Sequence, residues 1–63
     1  MSAIQEALKD INSDLAGLSS IILSGVPKTF EEYKRLCGKI EGLESAKAYL
    51  QQAVDNELRD EDD

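Results

Sequence analysis

Cys37 is the most nucleophilic side chain in this sequence, and Lys34 and Arg35 stand within three positions of it. A thiol attacks as the thiolate, so it needs a nearby base or positive field. The chain contains no His to serve as that base. Cys37 therefore reads first as a small apolar side chain beside a hydrophobic stripe. Glu41 and Glu44 are a helical turn apart and invite an acid–base reading. Glu44 also has Lys47 three positions on, and nothing in the pattern closes a cleft around the two acids. Without His, and with a single Cys, no imidazole or thiolate cage for zinc can be built. No grouping of base, nucleophile and oxyanion donors can be assembled. The expectation is a protein with no catalytic, cofactor-binding or metal-ligating residues, and not an enzyme.

The charge balance points away from nucleic acid. Thirteen acids against seven bases give a net charge of −6, whereas phosphate-backbone binding depends on Lys and Arg displacing counterions. Lys34, Arg35 and Lys39 form too small a basic cluster to offset that background. Membrane insertion is not expected either. The longest uncharged run, Leu15 to Val26, is twelve residues, which as a helix spans about 18 Å against ~30 Å of hydrocarbon. The segment Met1 to Glu6 has no basic patch leading into an apolar run, so no secretory signal is expected.

What remains is helix. Ile4, Leu8, Ile11, Leu15, Leu18 and Ile22 follow one another at spacings of 4, 3, 4, 3 and 4. That spacing keeps every apolar residue on one seam, with a and d heptad positions filled and none polar. Ile21 and Leu23 widen the stripe near its end, which asks for more than one neighbour. Gly25 suits the left-handed position after a helix, and Pro27 cannot continue it. Thr29 with Glu32 then forms the Thr-x-x-Glu signature of a capping box. Glu31 and Glu32 add negative charge at the positive end of the helix dipole.

The second helix carries Tyr33, Leu36, Ile40, Leu43, Leu50 and Val54 on its stripe, flanked by Phe30, Cys37, Ala46 and Ala53. Lys47 falls where the heptad asks for an apolar residue. Ala46 can make that contact while the lysine stem lies along the surface. The sequence thus predicts a hairpin over residues 1–59: helix 1 over about 3–23, a turn over 24–29 and helix 2 over about 30–58. Residues 60–63 are an acidic tail, expected to fray because its acids crowd the negative end of the dipole.

Gly38 and Gly42 lie one turn apart on one face of helix 2, with Ala46 a turn further. Each glycine costs about 1 kcal/mol of helix propensity relative to alanine. Two explanations compete: close approach of another helix, or a kink. Ser13, Gly17, Ser20 and Ser24 form a similar small strip on helix 1, facing either that glycine row or solvent.

Two helices share a single contact line and cannot enclose a core. A chain of this size buries only about 60% of its unfolded surface, and this one has neither a disulfide nor a metal to brace it. The fold class expected is all-α, a two-helix antiparallel hairpin that associates with itself or with a larger protein. The partner-binding residues expected are Ile21, Leu23, Phe30, Tyr33, Leu36 and Ile40, with Gly38 and Gly42 admitting a neighbouring helix.

The run Tyr33-Lys34-Arg35-Leu36-Cys37-Gly38-Lys39-Ile40-Glu41-Gly42-Leu43 resembles small helical proteins encoded near the head and portal genes of tailed bacteriophages. The likeness covers Thr29 to Val54, about two fifths of the chain. It implies a context and no catalytic residue. The function expected is that of a non-enzymatic structural or assembly protein, a virion component or morphogenesis factor in the virion or host cytoplasm. Its partners would be itself or a larger structural protein. Two alternatives stand beside it: an acidic inhibitor occupying a host protein's basic surface, and a hairpin dimer similar to Rop. The net charge of −6 weighs against RNA binding by the latter.

Overall fold

The computed structural model describes residues 2–62 as two helices, α1 over Ala3–Leu23 and α2 over Phe30–Asp62. They pack side by side as a helical hairpin, with no strand among the described residues. At 1.5 Å per residue, the 33 residues of α2 span about 50 Å. The longest dimension of the whole chain is 52 Å, so α1 must fold back along α2. The other two extents, 18 and 14 Å, are those of a two-helix slab.

Each helix starts on a side-chain cap. The Ser2 hydroxyl accepts from the Gln5 backbone N–H at 3.1 Å, and Gln5 Oε1 accepts from the Ser2 backbone N–H at 3.3 Å. Two of the first donors of α1 are thereby satisfied reciprocally. The Ser-x-x-Gln signature that announces this box stands in the sequence as plainly as Thr-x-x-Glu does, although the reading above used only the latter. At α2 the box is modified. The Thr29 hydroxyl accepts from the Glu32 N–H at 3.1 Å as expected, but the Glu32 carboxylate takes the N–H of Lys28 at 3.0 Å instead of that of Thr29. The side chain reaches one residue further back and ties the turn to the helix.

The reversal is local chemistry too. Gly25 has φ of +80°, a conformation that a Cβ would strain. Its N–H donates to the Ile22 carbonyl at 3.2 Å, and the Ser24 N–H donates to Ser20 at 3.0 Å. The Ser24 hydroxyl donates to the Ile21 carbonyl at 2.8 Å, occupying an acceptor that a full Schellman motif would give to the backbone. The carbonyls of Ser20, Ile21 and Ile22 are thereby satisfied before the chain leaves through Pro27.

Between the helices, Ile4, Leu8, Ile11, Leu15, Leu18 and Ile22 meet Leu36, Ile40, Leu43, Leu50 and Val54, all half-buried. Ala46 and Lys47 are half-buried as well, as the shared position requires. Tyr33 departs from the expected stripe. It stays 45% exposed, because its position on the wheel turns it onto the flank of α2 near the hairpin's closed end. No described side chain is buried outright.

Two further departures follow from helix continuity. α2 runs on past Leu58 to Asp62, because nothing after Gly42 interrupts it and each added residue gains a backbone bond. The acidic segment expected as a frayed tail thus has a helical backbone through Asp62. Asp63 lies outside the described residues. The glycines Gly38 and Gly42 are passed without a break, and a Cβ at either would meet nothing within 4 Å. α2 is not broken at the glycines, and α1 does not come close enough to need them.

Candidate interaction surface

The residues with reactive side chains do not converge. Cys37 is free and half-buried on α2. Its neighbour one turn back, Tyr33, has its phenol pushed above the ordinary value of 10.0. Hydrogen bonding with the Cys37 side chain favours the protonated phenol, the negative charge of the thiolate adds to this, and slight desolvation acts in the same direction. This pair consists of two weak acids, with no base between them. Among the described residues no three His, Cys, Asp or Glu side chains gather as a metal site. No helix of the described residues is long and apolar enough to cross a membrane.

Apolar exposure is concentrated instead at the closed end of the hairpin. Leu23 is 87% exposed and Phe30 72%, and Val26 between them is exposed as well. The cap geometry explains this placement. Leu23 is the last residue of α1 and Phe30 the first of α2, so neither has a helical turn beyond it to pack against. Lys34, one turn on from Phe30, lays its Nζ 5.6 Å from the ring centroid. That cation–π contact holds the ring in place without covering its outer face.

A second surface runs along one face of the slab. Ser13, Asp14, Gly17, Leu18 and Ile21 of α1 form one bank of an open groove, and Lys39, Gly42 and Leu43 of α2 form the other. The groove has a volume of about 630 Å³. Its floor is aliphatic, each bank has a glycine, and each bank has one charge, negative on α1 and positive on α2. Toward the turn it adjoins a smaller depression, of about 250 Å³, between Ile21, Val26, Pro27, Glu32, Arg35, Leu36 and Lys39.

The expected partner-binding residues divide accordingly. Leu23, Phe30 and Tyr33 are exposed at or beside the turn, and Ile21 lies on the groove at 39% exposure. Leu36 and Ile40 are largely engaged in the seam, with Leu36 also lining the smaller depression. Gly42 lines the groove, and Gly38 is exposed away from it. The structure adds Val26, Tyr49 and Leu58 as exposed apolar residues, and Gly17, Leu18 and Leu43 as groove residues. The groove set was legible in outline: Asp14, Gly17, Leu18 and Ile21 are spaced as one helical row beside the seam, as are Lys39, Gly42 and Leu43. No family model, no curated protein and no solved structure matches this chain.

Proposed function

We propose that this protein is a non-enzymatic assembly protein that works by helix packing, as a small structural component or morphogenesis factor of a tailed-phage particle. The observation that carries the reading is the apolar closed end, where Leu23, Val26 and Phe30 stand in solvent on a hairpin with no fully buried side chain among the described residues. An exposed aromatic ring such as that of Phe30, ringed by aliphatic neighbours, can anchor a protein contact, because a pocket on the partner desolvates it. Their position at the tip lets the hairpin plug into a recess on a larger structural protein while its 52 Å length extends outward. The work done would be mechanical: capping, spacing or cementing neighbouring subunits. The phage context rests on the Tyr33 to Leu43 run and on nothing else. The net charge of −6 favours a protein partner over nucleic acid.

Mass spectrometry of purified particles tests the proposal. The chain should be present in many copies and should be lost when Leu23 and Phe30 are both changed to Asp. Its absence from particles, with recovery on a host regulatory protein, would replace this reading by that of an acidic inhibitor.

A further inference from the structure

We infer that the groove between α1 and α2 is the seat of a second copy of this chain, forming a two-fold, four-helix dimer in which Asp14 of each copy faces Lys39 of the other. The inference rests on the assembly reading in that both place function in helix packing, but it uses a different surface.

The charges select the occupant. Asp14 stands on the α1 bank and Lys39 on the α2 bank of the same groove. A two-fold axis running along the groove lays α1 of one copy over α2 of the other. It brings the acidic bank to the basic bank twice, once on each side of the axis. An axis across the groove would lay α1 on α1 and set Asp14 toward Asp14. Either axis keeps every helix beside antiparallel neighbours, the up-down order of four-helix bundles, so it is the charges that choose between them.

The space in the groove agrees with this. A Cβ at Gly17 or Gly42 would meet nothing within 4 Å, so both banks leave room for a neighbouring helix. The floor residues Leu18 and Leu43 are only half-buried by their own hairpin, and a second aliphatic layer would complete their burial. The face on which both helices lie is as long as the 21-residue α1, about 31 Å, and 18 Å wide, roughly 550 Å² per copy, a small interface beside the ~800 Å² per partner of a standard one. A hairpin with no buried residue among those described gains its core in this way, and the closed end with Leu23 and Phe30 stays free for a larger protein.

Sedimentation equilibrium and a mixing experiment test the inference. The wild-type chain should sediment as a dimer at micromolar concentration. Asp14→Lys alone and Lys39→Asp alone should each weaken the dimer about tenfold, since each places two like-charge pairs across the interface. Mixed in equal amounts, the two variants should form a heterodimer of wild-type affinity, because Lys at 14 in one chain then meets Asp at 39 in the other. A contact within one hairpin cannot produce that rescue. Gly42→Leu, which fills the groove without a clash inside the chain, should weaken the dimer at least tenfold while helicity is kept. A monomeric, fully helical wild type, or mixed variants that show no preference for one another, would overturn the inference. The Leu23→Asp/Phe30→Asp variant separates the two readings. It should dimerise like wild type even if particle binding is lost, and particle binding can fail entirely without touching the dimer result.

Discussion

The Glu32 carboxylate accepts a hydrogen bond from the backbone N–H of Lys28 at 3.0 Å, across the start of α2. Its own N–H donates to the Thr29 hydroxyl at 3.1 Å. One residue thus ties the turn to the helix from both ends. With no described side chain fully buried, such local bonds matter more than in most proteins, because there is little tertiary packing to hold the turn in place.

Thr29→Ala should therefore destabilise the hairpin by about 1 kcal/mol through the lost cap. Glu32→Ala should cost a similar amount, about 1 kcal/mol for a charge-assisted bond at an exposed site. Thermal melts followed by circular dichroism at fixed concentration measure both. A loss in the double variant smaller than the sum would show that the two bonds act as one unit.

Gly25→Ala should lower stability by about 1–2 kcal/mol, because an L residue at φ of +80° meets its own carbonyl. The cost is confined to the local backbone, since beyond the residue and its two chain neighbours no atom lies within 4 Å of the added Cβ. Gly25→Asn, which tolerates the left-handed region better, should lose less. Equal losses in the two variants would contradict the assignment.

Gly38→Ala should do the opposite. The site is helical and open, so removing a glycine should stabilise α2 by about 1 kcal/mol. It should leave self-association unchanged, because Gly38 lies outside the groove that Gly42 lines. Denaturant unfolding together with sedimentation reads both quantities.

The Tyr33–Cys37 neighbourhood predicts a pH dependence. The folded phenol titrates above its ordinary 10.0, with Cys37 as the cause. A group raised on folding favours the folded chain below the unfolded value, and that contribution disappears as pH rises through the folded value. In a Tyr49→Phe background, phenolate absorbance should report Tyr33 alone. Cys37→Ala should move its midpoint down toward 10.0. An unmoved midpoint would mean that the thiol is not the cause.

The sequence alone determined where the helices lie and how the chain reverses. Ser2, Gly25, Pro27 and Thr29 act over three or four residues, through hydrogen bonds and allowed φ values that need no distant partner. The 4-3 spacing of Ile4 to Ile22 likewise determined which side of α1 faces its neighbour. Only the tertiary structure decided which apolar residues remain uncovered. Tyr33 and Leu36 are both apolar residues near one end of the same stripe, yet Leu36 packs against α1 while Tyr33 stays 45% exposed. The difference comes from the rotation of α2 about its own axis, which is fixed by how two whole helices nest and not by any local propensity. The same rotation put Gly42 on the groove opposite Gly17 and left Gly38 outside it, although the two glycines of α2 are one turn apart. Side-by-side packing adjusts relative height, rotation and crossing angle together, and a one-dimensional pattern specifies only the face.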